Sequence, residues 1–474
     1  MSRSRRRAYT PGIRTLPGVD ATPKAETPAP ERAKVVGWLQ MGGQRDAGLV
    51  RAVGPLGLAA STISMMIGAG IFAVPSALAA SLGPYAPLAF VACAVGIGAV
   101  AICCAEGGSR MPTSGGIYGY VEAALGPLPG YVAGTLLWVG DILAMASVAA
   151  ALADVAASLL PTTFAIVVRT TVIVGVIGAV AAVNVGGVTR GARLVTVATA
   201  LKLLPLAVFV VVGAAAVHGA NFSTAPGWKP GGFGRAVILA AFALTGMETA
   251  LCASGEVARP ARTIPLALAV AFGSVTLLYV AIQLIAQGVL GSALTHSVAP
   301  LADAMAHLGP GLRALMLAGT AFALLGMIAS DILGTPRMLF AFARDGLLPR
   351  VLGRVHPRTH TPHVAILSYA ALAAILALTG SFAELAVLAT LVTAGLYVAG
   401  CLAAWLLARR GVALAGAPLN FRWLGAAAAL GTGSMLVLIT LGSSIEIIGL
   451  AALIAVSALI YLLQRWFVVA SSPT

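Results

Sequence analysis

An all-α integral membrane protein with twelve transmembrane helices is the fold class the sequence predicts, and three observations predict it. The first is composition. Of 474 residues, 59% are hydrophobic and 9% are charged, against about 25% charged in an ordinary soluble domain. With a mean hydropathy of +0.98, the chain has too few ionic groups to coat a globule and too much apolar surface to stay disordered. The second is continuity. Residues 266–302, 385–408 and 423–445 contain no Asp, Glu, Lys or Arg. A membrane barrel would alternate apolar and polar residues over about ten positions, so unbroken runs with only 6% aromatics read as helices.

The third observation is where the bases fall. With twelve spans and an inner N-terminus, only Arg169, Lys229, Arg235 and Arg313 lie on the outer side or its border, and only Lys202 lies within a span. The other Lys and Arg collect on the inner side, as the positive-inside bias requires. The net charge of +14 is therefore a membrane-orientation signal, and no nucleic acid partner follows from it.

The elements follow in order. A hydrocarbon core of about 30 Å takes roughly 20 helical residues. On that ruler the spans fall at 56–82, 88–105, 128–156, 164–183, 192–217 and 236–255. The remaining six fall at 264–290, 315–342, 364–378, 382–407, 424–441 and 447–463. Before them, residues 1–51 hold ten bases, four acids and many Pro, Ala and Thr. That segment cannot bury a core and reads as a disordered basic cytoplasmic tail, either touching anionic lipid or simply solvated. Its SRSRRR start has no apolar stretch and cleavage site directly after it, unlike a signal peptide. The rest divides into a first five-helix repeat at 52–218, a second at 233–410, and two additional helices with the C-terminus at 411–474.

Two spans are interrupted at matching places. The first contains Ile67-Gly68-Ala69-Gly70-Ile71-Phe72, and the sixth contains Phe242-Ala243-Leu244-Thr245-Gly246-Met247-Glu248. They open two groups of five spans. Five is odd, so the second group enters the membrane upside down, giving an inverted repeat with discontinuous helices 1 and 6. Broken helices at matching positions of two inverted halves point to a transporter site near mid-membrane. Glycine tolerates the non-helical angles of an unwound stretch. Opening the helix frees N–H groups at the start of its outer half, where a carboxylate is favoured. The inner half ends in free carbonyls that suit an ammonium. A small zwitterion fits without any charged side chain. The competing interpretation of Gly-x-Gly is close packing between spans.

Three charged residues inside spans invite roles. Glu248 follows Gly246, and a carboxylate at this depth is a functional candidate. It could steady the unwound backbone, sense protons, attract a cation, or stay protonated and bonded to backbone. Lys202 sits about ten residues into the fifth span, too deep for easy snorkelling. An ammonium held so far from water is a candidate for proton release on conformational change; it could equally be a permanent charge held by carbonyls. Asp141 in the third span either reaches the cavity or caps a helix contact. Arg169 and Asp154 near the outer border read as structural. Cys93, Cys103, Cys104, Cys252 and Cys401 lie in apolar segments without metal-ligand spacing and read as packing residues. The six histidines fall in loops or at borders, and no HExxH or nucleophile motif appears. Neither an enzyme, a metal site nor a cofactor is expected.

Three stretches carry a family resemblance: IGAGIFAVPSALAASLGPYAP at 67–87, FALTGMETALCASGEVARPARTIPLAL at 242–268, and PRMLFAFARDGLLPRVLGRVHPRTHTPHVAI at 336–366. In this order they resemble the amino acid–polyamine–organocation (APC) permeases over about residues 49–410. The stretch GARLVTVATALKLLPL around Lys202 is similar to the fifth span of proton-coupled members. The resemblance implies a LeuT-like five-plus-five fold with two added helices. It implies a substrate carboxylate on the Gly68-Ala69-Gly70 backbone and an amino group at carbonyls near Met66, Phe242 and Thr245. Ile67 and Ala243 belong to the same interruptions. Phe242 falls at the family's aromatic gate position, Glu248 at its span-six acid, and Lys202 at the lysine proposed to couple to protons. Ser330 and Asp331 in the eighth span join Lys202 as coupling candidates, because the first, fifth and eighth spans converge in such folds. Asp331 can pair with Lys202 or with Arg337. Met247 replaces a frequent aromatic residue and Ala69 a frequent serine, so no relative's selectivity transfers.

The function expected is secondary active transport of amino acids across the cell membrane by alternating access, with both termini cytoplasmic. The expected partners are an amino acid, protons through Lys202, and the lipid bilayer. The alternative is an amino acid or polyamine exchanger without net proton coupling.

Overall fold

The computed structural model describes residues 53–113, 115–223, 232–252, 254–344, 348–414 and 417–471. The tail assigned to 1–51 lies outside them. Among the described residues the regular structure is helical, apart from one isolated bridge between Val53 and Val257. Among the described residues, eight helical stretches are long and apolar enough to cross a membrane. Shorter apolar helices lie at Pro55–Met66, Leu201–Ala214, His363–Thr379 and Leu424–Thr440. The chain is a multi-pass membrane protein.

In chain order the helices are α1 (Pro55–Met66), α2 (Ala69–Leu82), α3 (Ala86–Arg110), α4 (Ile117–Leu125), α5 (Pro127–Ala157), α6 (Ala165–Val185), α7 (Val188–Ala214), α8 (Ala220–Ser223) and α9 (Phe233–Leu244). They continue as α10 (Met247–Leu251), α11 (Pro260–Leu290), α12 (Pro300–Ala306), α13 (Pro310–Gly334), α14 (Pro336–Arg344), α15 (His363–Thr379), α16 (Phe382–Arg409), α17 (Leu424–Thr440) and α18 (Ser444–Ser471). Proline opens α1, α5, α11, α12, α13 and α14, a position where its missing N–H costs nothing.

The sixth predicted span, drawn as 236–255, is in the structure two helices, α9 and α10, with a break at Thr245–Gly246. The first is likewise α1 and α2, broken at Ile67–Gly68. Around these four half-length helices stand long ones. α5 packs along α16, α7 along α13 and α3 along α11, while α2 meets α9 and α1 meets α11. The two broken spans are joined at one end: Val53 N–H donates to Glu256 O at 3.0 Å and Ala258 N–H to Val53 O at 2.9 Å. At the other end, Arg169 on α6 pairs with Asp154 of α5 at 3.1 Å. It also donates to the carbonyls of Ala377, Leu378 and Gly380 at the end of α15. The structural reading of this pair is what the contacts describe. All five cysteines are free.

Candidate functional site

The first break follows from its small residues. The last helical bond of α1 runs from Ile67 N–H to Ile63 O at 2.9 Å. Gly68 is then extended (φ −107°, ψ −153°), and α2 begins at Ala69 with no side chain capping it. The opening N–H groups of α2 have no intrahelical acceptors. The second break needs its glycine more strictly. Thr245 is extended, and Gly246 sits at φ +110°, a left-handed angle that a side chain disfavours. Thr245 Oγ1 donates to Phe242 O at 2.7 Å. The Gly246 N–H donates to Glu248 Oε2 at 3.0 Å and Oε1 at 3.2 Å. Glu248 also accepts from the Tyr397 hydroxyl of α16 at 2.5 Å. The Glu248 carboxyl group thus bonds the unwound backbone at Gly246 and the tyrosine of α16.

The two breaks touch. A Cβ placed on Gly70 would stand 2.7 Å from Ala243 Cα, and one on Gly246 would stand 2.9 Å from Met65 O. Between them lies a cavity of about 50 Å³, room for a few waters at about 10–15 Å³ each. Its walls include Met66, Gly68, Ala69, Gly70, Phe242, Ala243, Thr245 and Glu248 from the breaks. Ile67 is fully buried and does not line it. The scaffold adds Gly140, Asp141 and Ala144 from α5, Met327 and Asp331 from α13, and Ala389 and Thr393 from α16. Phe242, Ala144, Ala389 and Met327 give the cavity apolar lining, and Asp141, Glu248 and Asp331 give it polar lining.

Lys202 lies behind the first break. It is 2% exposed, and its Nζ donates to the carbonyls of Ser64 and Ile67. Asp331 bonds neither Lys202 nor Arg337. It accepts from the Tyr369 hydroxyl at 2.5 Å and from Thr335 Oγ1 at 3.1 Å. Thr335 Oγ1 is also 3.0 Å from Asp141 Oδ2, and Thr249 of α10 reaches Asp141 Oδ1 at 3.4 Å. Ser330 bonds Gly326 O within its own helix at 2.8 Å and stands away from the cavity.

Beyond Phe242 a second cavity of about 190 Å³ is lined by Phe72, Ser76, Asp154, Ser297, Thr320 and Phe382 among others. Phe242 lines the first cavity and Phe382 the second. Their rings meet edge to face with centroids 5.9 Å apart, and Ala69 lines both spaces. Phe382, Tyr369, Tyr397, Thr335 and Met327 escape a reading of the sequence. A tyrosine inside an apolar span is the usable signal, because its hydroxyl must find a partner.

With this geometry in view, residues 53–443 match the amino acid permease family. The chain belongs to that family. An uncharacterized transporter of Mycobacterium tuberculosis is 35% identical over 337 residues, covering 70% of this chain and 74% of the relative. A methylthioribose transporter of Bacillus subtilis is 27% identical, covering 66% and 72% of the two chains. A serine/threonine exchanger of Bacillus subtilis is 27% identical, covering 77% and 85%. This permease is thus a transporter of small molecules and not an enzyme, as its APC-like motifs led us to expect. The broken helices and the cavity between them lie within the matched region.

Proposed function

We propose that this permease is a secondary active transporter of amino acids that works by alternating access. In this reading it has twelve spans in a LeuT-like five-plus-five arrangement, with both termini cytoplasmic in the cell membrane. The observation that carries it is the pair of broken helices facing each other across one cavity. The uncapped start of α2 would take the substrate carboxylate. Carbonyls near Met66, Phe242 and Thr245 would take the amino group, other than those of Met66 and Phe242 themselves, which already accept two donors each. The apolar lining of the cavity suits the substrate's aliphatic part. The unit of α1, α2, α9 and α10 would rock against α5, α6, α13 and α15 to expose the site to either side.

Proton coupling is assigned to Lys202, with Asp331 beside the cavity as a second candidate. Lys202 grips the carbonyls on both sides of the α1 terminus. Losing its proton would weaken that grip by removing the charge that strengthens both bonds, which links protonation to the shape of the site. Thr335 supports a role for Asp331. A hydroxyl has one proton to donate, so satisfying both its carboxyl neighbours requires a proton on one of them. Ser330 acts through its place in the same helix. The alternative, exchange without net proton coupling, draws support from the two carbonyls that hold Lys202 as an ammonium, and from the related exchanger.

Reconstituted vesicles test both. In the main reading a pH gradient alone drives uptake, and Lys202→Ala removes its pH dependence more than it weakens binding. Undiminished pH-driven uptake by Lys202→Ala would remove Lys202 from coupling. Uptake that occurs only with substrate inside the vesicle would favour the exchanger. Gly68→Val should block binding while the protein still inserts.

A further inference from the structure

α11 runs beside the first broken helix and carries three fully buried polar side chains, Tyr279, Gln283 and Gln287. Their spacing of four puts them in a row on one face. Each donates to a main-chain carbonyl of the interrupted span. Tyr279 Oη reaches Met66 O at 2.7 Å, Gln283 Nε2 reaches Pro75 O at 3.3 Å, and Gln287 Nε2 reaches Gly83 O at 2.7 Å. Polar groups buried in apolar surroundings are unfavourable unless bonded, so the value of this row lies in those bonds.

The first bond falls at the break itself. Met66 O also accepts the Gly68 N–H at 2.9 Å, which together with Tyr279 occupies both of its lone pairs. One residue on, Ile67 O accepts from Lys202 at 3.1 Å. The two carbonyls preceding Gly68 are therefore clamped by side chains of two helices, α11 and α7. Those two peptide planes carry the Ile67 and Gly68 N–H groups, which bond Ile63 O and Met66 O, so the clamp fixes the turn from which the Ala69 and Gly70 amides start. Tyr279 does not line the cavity; its ring rests on Phe90 of α3 with centroids 5.7 Å apart.

We propose that Tyr279 is a positioning residue for substrate binding. By holding the Met66 carbonyl toward α11, its hydroxyl sets the start of α2 so that the amides of Ala69 and Gly70 face the substrate carboxylate, independently of the proton step at Lys202. This rests on the carboxylate site proposed above.

The test uses the full-length carrier in detergent and in vesicles. The twenty L-amino acids are screened by thermal shift, and the one with the largest shift is carried through as the probe. Tyr279→Phe should raise its Kd about five- to tenfold, the value of one well-placed hydrogen bond. Vmax and the shape of the pH profile should stay as in the wild type. Phe90→Leu, which loosens the ring without removing the hydroxyl, should leave Kd unchanged. An unchanged Kd in Tyr279→Phe, an equal rise in Phe90→Leu, an altered pH profile, or a Tyr279→Phe carrier that fails to fold would each overturn the proposal. Gly68→Val separates the two levels. If it binds like the wild type, the carboxylate site itself is wrong. If it does not bind and Tyr279→Phe does so normally, only the role of Tyr279 falls.

Discussion

Gly70→Ala is the smallest perturbation that reaches both breaks at once. The added Cβ would lie 2.7 Å from both Ala243 Cα and Ala243 Cβ, and 3.4 Å from Ala243 N. Carbon atoms pack comfortably at about 3.5–4.0 Å, so α2 and α9 would have to part by about 1 Å. No flexible side chain can yield, because the obstacle is mainly the backbone of the facing helix. Overpacking of this kind costs about 1–3 kcal/mol. If that cost falls on the bound geometry, substrate Kd rises roughly 5- to 150-fold, at about 1.4 kcal/mol for each factor of ten. Gly68→Ala supplies the contrast, since its Cβ would strike Met327 Sδ near the end of a flexible side chain. Adding Met327→Ala should therefore restore binding to Gly68→Ala but not to Gly70→Ala. Isothermal titration of the purified variants with one amino acid checks this. Wild-type affinity in Gly70→Ala, or rescue of Gly70→Ala by Met327→Ala, would refute the reasoning.

Glu248→Ala strands the Gly246 N–H and the Tyr397 hydroxyl, which should cost about 1–3 kcal/mol; Glu248→Gln, which keeps an acceptor, should lower the melting temperature less. Arg169→Gln removes the tie among α5, α6 and α15, so thermal unfolding should come earlier while substrate Kd stays put. Phe382→Ala removes half of the ring pair, and a thiol reagent added outside the vesicle should label Ala243→Cys faster in that background than with Phe382 intact.

What could be read from the sequence was whatever leaves a local trace. Gly68, Gly70 and Gly246 mark the breaks because an unwound stretch selects small residues at short spacing. Lys202 and Glu248 stand out because charge is rare at membrane depth. Partners were another matter. Span convergence offers Lys202 to Asp331 and sequence proximity offers Arg337, whereas it bonds two hydroxyls, Tyr369 and Thr335. Those hydroxyls come from a neighbouring helix and from one turn onward, and hydropathy carries no record of which helices meet. Tyr279 and Tyr397 were passed over for the same reason. Each looks like an ordinary aromatic residue in an apolar run until the carbonyl or carboxylate opposite it is known. The division into 52–218 and 233–410 rests on counting spans, and helix ends such as the start of α7 at Val188 were shifted because polar residues continue a helix past its apolar part.

The meeting of Phe242 with Phe382 has an environmental consequence. Carriers that shut with ion pairs loosen as dissolved electrolyte screens the attraction, over a distance that shrinks from about 10 Å at 0.1 M to about 3 Å at 1 M. A contact made of two benzene rings has no such weakness. The contact between Phe242 and Phe382 should therefore hold as firmly in brine as in fresh water.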